Sequence, residues 1–260
     1  MDRVNGRPLL ALTEVSMYFG GLVAVNRVSA QVHPGQIKGL IGPNGAGKTT
    51  LFNVISGIYE PTTGDVEFCG ESVLGLEPNG VAALGITRTF QNVRLFSNMT
   101  VLENVMVGCH LQGRAGFVDA ALRRRAARRE EAEIEARAGA LLEKVGLAER
   151  AGEMSTDLPF GLQRTLEIAR ALATEPKLLL LDEPAAGLNT AEKQSLAGLV
   201  RLIREEGTTM VLVEHDMEFV MGLVDELIVL DHGSVIAEGS PAEVQSDERV
   251  IAAYLGTPEE

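Results

Sequence analysis

Aromatic residues are scarce in this chain, and cysteine is nearly absent. Only 4% of its 260 residues are aromatic and none is Trp, so the stacking platforms that bind single-stranded nucleic acid are not evident. The two cysteines, Cys69 and Cys109, have no Cys-x-x-Cys partner. A disulfide between them is one interpretation, but the isolated positions favour free thiols in a reducing compartment.

Basic charge is also in short supply. Lys and Arg number 23 against 36 Asp and Glu, which gives a formal net charge of -13. Affinity for the nucleic-acid backbone and for anionic lipid depends on basic side chains, so both kinds of partner are disfavoured. Residues 123–137 hold several arginines, but acids alternate with them, as on a solvated helix face. We expect no nucleic-acid partner.

Long apolar runs are missing as well. No stretch approaches the roughly 20 apolar residues that span a bilayer, and the first residues lack the apolar core of a signal peptide. A hydrophobic fraction of 45% is nevertheless enough for a sizeable core. We expect a soluble cytoplasmic protein, which a partner would hold at a membrane if it acts there.

Hydrophobic periodicity divides the chain into an α/β part and a helical part. Residues 9–32 alternate apolar and polar around a break at Gly20-Gly21, which predicts two antiparallel strands. A helical period covers about residues 95–154. This order predicts an α/β core interrupted by a helical insertion, with further strands over 37–41, 178–181, 208–213 and 227–230 and helices over 48–56 and 190–204.

The apolar run at 37–41 leads into a glycine-rich segment that matches the Walker A pattern. Its glycines let backbone N–H groups wrap a phosphate, and the following helix adds its positive N-terminal end. Lys48 supplies a charge for the β and γ phosphates, and the Thr49 hydroxyl can ligate Mg²⁺. The alternative is a chance glycine-rich turn, which the flanking strand and helix disfavour. The predicted phosphate-binding residues are Gly42, Pro43, Asn44, Gly45, Ala46, Gly47, Lys48, Thr49 and Thr50.

Acidic residues follow the apolar run 178–181. Asp182 comes at the carboxyl end of this strand, the edge where open α/β sheets bind ligands, and is suited to hold Mg²⁺. Glu183 is placed to polarise an attacking water as general base. His215 ends the next strand, where a hydrogen bond to the γ-phosphate would stabilise transition-state charge. Taken alone, Asp-Glu-Pro is more often a helix-start turn and a single His is usually structural; the phosphate loop favours the catalytic interpretation.

These motifs, in this order, resemble the nucleotide-binding subunits of ABC transporters over about residues 9–256. By that resemblance, Gln91 in Thr89-Phe90-Gln91 is similar to the glutamine that senses Mg²⁺ and the attacking water. Phe19 has the spacing of the aromatic that stacks on adenine, with Tyr18 as the alternative. The implied catalytic residues are Lys48, Gln91, Glu183 and His215, and the implied Mg²⁺ ligands are Thr49, Gln91 and Asp182.

The family's signature segment, which acts on the ATP held by the opposite subunit, corresponds to Leu158, Pro159, Phe160, Gly161 and Leu162. It departs from the usual Leu-Ser-Gly-Gly-Gln, since Pro159 has neither a hydroxyl nor an N–H and only Gly161 keeps an anion-binding role. We expect the N–H groups of the following helix to clamp ATP with a weaker side-chain grip. In the D-loop, Asn189 stands where Asp is usual.

Within the family, the chain resembles the importers of branched-chain, hydrophobic amino acids. Members of that subfamily also depart from the standard signature and carry Asn in the D-loop. Related ATPases for urea or short amides share much of this sequence, so the reaction is better specified than the solute. The resemblance is carried by residues 88–96, 99–104, 182–189, 214–217 and 253–256.

The resemblance implies an α/β fold, the P-loop NTPase ABC cassette. Its core sheet is mostly parallel, and it carries an antiparallel β subdomain and an inserted α-helical subdomain. The expected arrangement is a single ABC ATPase domain over residues 1–260. The α/β core and β subdomain would take 1–92 and 158–260, and the helical insertion about 93–157.

The resemblance also implies ligands and partners. ATP and Mg²⁺ are the implied substrate and cofactor. The implied partners are a second copy or a paralogous ABC ATPase, two integral-membrane permease subunits and, indirectly, a periplasmic solute-binding protein. The implied location is the cytoplasmic face of the inner membrane.

Two other functions would share the phosphate loop. A soluble ABC ATPase of translation or DNA repair usually carries two cassettes, a basic arm or a long coiled coil. One cassette with a net charge of -13 does not match that description. A regulatory nucleotide-binding module without turnover is suggested by Pro159 and Leu162 alone.

Overall fold

A computed structural model describes residues 6–91, 93–110 and 124–255. Asn92, Arg123 and Gly256, which belong to segments discussed above, lie outside the described residues. The chain forms two compact units. The described residues of 1–88, 177–186 and 193–260 form the first unit, and those of 89–176 and 187–192 form the second.

The strands of the described residues all lie in the first unit. In chain order they are β1 (Leu10–Phe19), β2 (Leu22–Val32), β3 (Ile37–Ile41), β4 (Thr63–Phe68), β5 (Glu71–Ser72), β6 (Ile86–Arg88), β7 (Leu178–Asp182), β8 (Thr209–Val213), β9 (Glu226–Asp231) and β10 (Ser234–Gly239).

The described helices are found in both units. In chain order they are α1 (Lys48–Ile55), α2 (Pro78–Leu84), α3 (Val101–His110), α4 (Arg124–Lys144), α5 (Phe160–Leu172), α6 (Thr190–Glu205), α7 (Met217–Met221), α8 (Pro241–Ser246) and α9 (Glu248–Leu255). Within residues 6–91, 93–110 and 124–255, no helix combines the length and the apolar character needed to cross a membrane.

Two sheets build the first unit. One is antiparallel, in the order β2-β1-β4-β5, and it contains the hairpin that the alternation over 9–32 predicts. The other has the order β10-β9-β3-β8-β7-β6, in which every pairing is parallel except that of β10 with β9. The prediction of a mostly parallel core sheet with a separate antiparallel sheet is therefore confirmed.

The parallel strands are apolar because both faces of their sheet are covered. Every residue of β3, β7 and β8 is buried, which explains why these strands are mostly apolar rather than alternating. The exceptions are Lys38, which pairs with Glu226 and Glu238, and the polar residues Asp182 and Thr209. Leu51 and Phe52 of α1 join the same hydrophobic core as Leu40 of β3 and Leu180 of β7. Each such side chain contributes about 1.5–3 kcal/mol when fully buried. This packing fixes the start of α1 beside the end of β3.

The second unit is helical, and α5 is part of it. Val105 of α3, Leu142 of α4 and Leu166 of α5 are fully buried together in its core. The sequence places only about residues 93–157 in the helical insertion, whereas the compact unit extends to residue 176. The difference arises because α5 buries its apolar face, including Leu166 and Ala169, against α3 and α4.

Both cysteines of the chain are free thiols. Cys69 is exposed in the first unit, and Cys109 is buried in the core of the second. Burial raises the pKa of the Cys109 thiol above its ordinary value, because desolvation disfavours the thiolate. Cys109 therefore packs as a small apolar side chain.

Gly108 of α3 marks a close approach to α5. A Cβ at this position would lie 2.3 Å from the carbonyl oxygen of Arg170 and 2.7 Å from the Cβ of Ala173. We expect Gly108→Ala to lower the free energy of unfolding by about 1–3 kcal/mol, since a backbone oxygen cannot move aside without separating the helices.

Gly139 of α4 is the matched control, because its Cβ would meet nothing within 4 Å. Gly139→Ala should raise the free energy of unfolding by about 0.5–1 kcal/mol through the loss of backbone freedom in the unfolded chain. Urea titration followed by circular dichroism measures both variants. Equal effects at the two positions would contradict the tight α3–α5 contact.

Candidate nucleotide site

The predicted phosphate loop connects β3 to α1, and two of its glycines are required by close contacts. Gly42 has a φ of 151°, and a Cβ there would lie 2.1 Å from the carbonyl oxygen of Leu230. Gly47 has a φ of 101°, and its Cβ would lie 2.3 Å from the carbonyl oxygen of Ala24. A residue with a Cβ would clash at either position, so both must be glycine. The backbone of β9 thus lies directly against one end of the loop, and that of β2 lies against the other.

Lys48 is folded back onto the loop that precedes it. Its side chain is buried, and its ammonium donates to the carbonyl oxygens of Gly42 at 2.6 Å and Pro43 at 2.9 Å. Burial lowers the pKa of Lys48, and the nearby Glu183 carboxylate opposes that shift. A buried cation held by neutral carbonyls can exchange them for phosphate oxygens with a gain in charge pairing.

The start of α1 fits a nucleotide phosphate. The first N–H groups of a helix have no partner within the helix, and Gly47 before α1 has no side chain to cap them. These N–H groups and the Lys48 ammonium together form an anion site. Thr49 in the first turn is exposed, which leaves its hydroxyl accessible to a ligand.

Asp182 at the end of β7 is buried and paired with a cation. Its carboxylate accepts from Nη2 of Arg88 at 2.6 Å, and both side chains are 8% exposed. Arg88 also donates to Asn53 of α1 at 2.6 Å and lies over the ring of Phe52, 5.5 Å from its centre. Arg88 thus connects Asp182 to the helix that follows the phosphate loop. No role for Arg88 is predicted from the sequence, where its only signal is a basic residue at the end of a short apolar run.

Asp182 and Thr49 also supply the chemistry that Mg²⁺ requires. Mg²⁺ takes oxygen ligands, and in nucleotide sites it is usually held by one or two protein groups together with phosphates and water. A carboxylate at the carboxyl edge of β7 and a hydroxyl on the first turn of α1 are such groups. The residues present therefore fit a magnesium-bound nucleotide.

Glu183 directly follows β7 in a strained backbone conformation. Its φ of 46° is left-handed, which costs a non-glycine residue on the order of 1–3 kcal/mol and is concentrated at functional sites. Its N–H donates to the carbonyl oxygen of Val213 at 2.9 Å, which ties it to the end of β8. Its carboxylate lies 3.6 Å from Nδ1 of His215. The predicted base and the predicted histidine are thus neighbours.

Glu214, between β8 and His215, is a further buried acid at this edge. Its carboxylate accepts from the N–H of Ala185 at 2.7 Å and from the N–H of His215 at 3.2 Å. Burial raises the pKa of Glu214, and these backbone donors oppose the shift. Glu214 therefore joins the turn after Glu183 to the residue His215. Glu214 is not among the residues predicted from the sequence, although an acid between an apolar strand and a histidine is a recognisable signal.

Phe19 lies at the exposed end of β1. It is 42% exposed and makes an edge contact with Tyr59, with ring centres 5.4 Å apart. Tyr18 is similarly exposed, so the structure presents both aromatic candidates for adenine to solvent.

The signature segment begins α5 in the second unit. Leu158 is buried, Pro159 is the residue before the first helical turn, and Phe160 is exposed. The carbonyl oxygen of Pro159 accepts from the N–H groups of Leu162 at 2.9 Å and Gln163 at 3.0 Å. The helix therefore starts with a residue that offers no capping side chain, which leaves its first N–H groups available to an anion.

Gly161 and Asn189 meet the same acidic side chain. A Cβ on Gly161 would lie 2.6 Å from Oε1 of Glu192, so a larger residue there would displace the Glu192 side chain. Asn189 and Glu192 each accept the backbone N–H of the other, at 3.0 and 2.9 Å, which is a capping box at the start of α6. Gln91 lies elsewhere in the second unit, with an exposed side chain.

Known proteins resemble this chain over nearly its whole length. The family described as "ABC transporter" matches residues 25–186, and the family described as "Branched-chain amino acid ATP-binding cassette transporter" matches residues 234–260. The high-affinity branched-chain amino acid transport ATP-binding protein LivG of Salmonella typhimurium is 46% identical over 251 residues, covering 96% of this chain and 98% of the relative. The corresponding protein BraF of Pseudomonas aeruginosa is 44% identical with the same coverage.

Solved structures show the same fold. A nucleotide-free ATP-binding cassette from an ABC transporter superimposes with a TM-score of 0.84 and 32% identity, covering 96% of this chain and 100% of that chain. The ADP conformation of an ATP-binding cassette of an ABC transporter gives the same values. The predicted fold is confirmed.

Glu214 provides a test of the acidic edge of the sheet. Glu214→Gln replaces one acceptor oxygen by an NH₂ group, which cannot accept from the N–H of Ala185 or His215. The two donors then face each other, and either the turn after Glu183 or His215 must move. We expect the turnover number for ATP hydrolysis to fall about 10- to 100-fold, the scale of a small misplacement of catalytic groups. Affinity for a fluorescent ATP analogue should be unchanged.

The exposed Glu218 on α7 provides the same Glu→Gln change away from the turn. Glu218→Gln should hydrolyse ATP at the rate of the unaltered protein. If Glu214→Gln does so too, Glu214 does not position Glu183 or His215.

Proposed function

The chain belongs to the ABC transporter family, and on that premise we propose that it is the ATP-binding and ATP-hydrolysing subunit of an importer of branched-chain or other hydrophobic amino acids. The observation that carries the solute class is the 46% identity to a branched-chain amino acid transport ATP-binding protein across 96% of the chain. The match of residues 234–260 to the family specific for such transporters supports the same conclusion.

The proposed reaction is hydrolysis of the γ-phosphate of ATP. The N–H groups of residues 42–50 and the Lys48 ammonium would hold the phosphates, with Phe19 against adenine. Glu183 would polarise the attacking water as general base, and His215 would donate a hydrogen bond to the charge that develops on the γ-phosphate. Their 3.6 Å separation supports a shared task.

Magnesium would bind through the oxygen ligands of the same edge. When bound, Mg²⁺ neutralises phosphate charge and orients the leaving group. Thr49 and Asp182 would hold it, and the family resemblance adds Gln91. Because Asp182 is paired with Arg88, its carboxylate is oriented before the nucleotide arrives.

We infer a head-to-tail dimer, with a second copy or a paralogue, that encloses two ATP molecules. The signature segment of one subunit, residues 158–162, would face the phosphate loop of the other. The uncapped first turn of α5 supports this role, since its N–H groups suit a γ-phosphate without the usual serine. Asn189 would contribute from the D-loop.

The proposed partners in the membrane are two permease subunits, supplied with solute by a periplasmic binding protein. The chain would then be peripheral on the cytoplasmic face of the inner membrane. Hydrolysis would separate the dimer, and the segment beginning at Gln91 would pass that motion to the permeases. The net charge of -13 supports attachment through protein contacts rather than through anionic lipid or nucleic acid.

Glu183→Gln tests hydrolysis and dimerisation together. Removing the base should lower turnover by at least about 100-fold, and ATP should remain bound. We expect gel filtration at millimolar ATP to show a stable dimer for this variant, with Glu218→Gln as the control that hydrolyses normally. A Glu183→Gln protein that stays monomeric, with and without permeases, would exclude the ATP sandwich.

Reconstitution tests the solute. With the permeases and the binding protein in proteoliposomes, leucine should stimulate ATP hydrolysis and accumulate inside, whereas urea and acetamide should do neither. Stimulation by urea or acetamide alone would assign the chain to a related importer. Purification with ribosomes or DNA instead of permeases would reject transport altogether.

A further inference from the structure

A buried arginine on α5 holds the backbone of the segment that carries Gln91. Arg164 is 1% exposed, and its guanidinium donates to the carbonyl oxygen of Phe90 at 2.8 Å and to that of Gln91 at 2.7 Å. The planar fork of arginine suits two adjacent carbonyl groups, which a lysine could not hold together.

Glu167, one turn further along α5, completes this contact. Its carboxylate accepts from Arg164 at 2.9 Å, and its second oxygen lies 3.4 Å from the amide nitrogen of Phe90 and 3.5 Å from that of Arg94. Burial raises the pKa of Glu167 above its ordinary value, and the Arg164 charge opposes the shift. The pair therefore binds backbone acceptors of Phe90 and Gln91 and backbone donors of Phe90 and Arg94.

Arg164 also reaches the signature segment. Its guanidinium lies over the Phe160 ring, 5.9 Å from the centre. One side chain thus contacts the first residue of α5 and the backbone of Gln91. Arg164 and Glu167 are fully desolvated, and a buried pair of this kind is weak as a stabilising device but strong at fixing geometry.

We propose that Arg164 and Glu167 are positioning residues. They couple the position of the Gln91 backbone to the position of the first turn of α5, which belongs to the signature segment. A displacement of α5 when its first turn meets ATP would then carry the Gln91 backbone with it. This inference rests on the proposed function for its consequence, since it assumes that Gln91 acts on Mg²⁺ and the attacking water. The contact itself requires no such assumption.

Hydrogen exchange tests the contact independently of activity. In Arg164→Met, the amides in a peptide covering residues 89–97 should exchange at least about 10-fold faster, because their anchor is lost. Arg137→Met removes another arginine of the second unit, one whose exposed pair with Glu175 does not involve this segment. It should leave exchange there unchanged. Unchanged exchange in Arg164→Met would overturn the proposal.

A double-mutant cycle tests whether the contact acts through Gln91. Arg164→Met should lower ATP turnover about 10-fold in the unaltered chain but less than about 2-fold in a Gln91→Ala background, as expected for residues in one network. Losses of equal size in both backgrounds would show that Arg164 supports only the fold, and would overturn the positioning role.

Conservative variants keep the test decisive if Arg164→Met does not fold. Arg164→Lys retains the charge but not the fork, and Glu167→Gln retains the shape but not the charge. Both should show the faster exchange and the non-additive loss of turnover, in smaller measure. If Gln91→Ala itself hydrolyses ATP normally while exchange is faster in these variants, the proposed role of Gln91 fails and the contact with α5 stands.

Discussion

Parallel pairing of β3, β8 and β7 is the constraint on which the proposed catalytic edge depends. Val213 of β8 is paired with Leu40 of β3 on one side and with Asp182 of β7 on the other. The three strands therefore end at the same edge of the sheet. Neighbouring strands are about 4.8 Å apart, so the start of the phosphate loop after β3 and Glu183 after β7 are roughly 10 Å apart. His215 follows β8, the strand between them. The register alone therefore brings three distant parts of the chain within reach of one triphosphate.

The buried polar contacts of this chain do more to fix geometry than to add stability. Exposed pairs such as Arg249 with Asp247 are worth little in water. Arg88 with Asp182 and Arg164 with Glu167 are almost fully desolvated, so each pair offsets a large solvation penalty. Both hold residues of a proposed functional segment. These two buried pairs thus lie where the proposed function requires fixed positions, whereas the buried Lys38, paired with Glu226 and Glu238, lies outside those segments.

Sequence alone predicts the features of this molecule that depend on a few consecutive residues. The apolar runs of β3, β7 and β8 and the glycine spacing after β3 are visible over a few residues each. β6 is too short to show a period, with only three residues. The Arg88–Asp182 and Arg164–Phe90 contacts join residues 94 and 74 positions apart. The role of Glu214 follows from strand register. No local pattern encodes the Arg88–Asp182 and Arg164–Phe90 contacts, because each depends on how distant parts of the chain pack.

The left-handed backbone of Glu183 has a consequence for how this protein can change over generations. A glycine at that position would adopt the left-handed backbone without strain, but it would also remove the carboxylate that is proposed as the general base. Changes that relieve strain at a functional position tend to cost activity. Position 183 is therefore a place where a relaxed backbone and the proposed hydrolysis make opposite demands on the sequence.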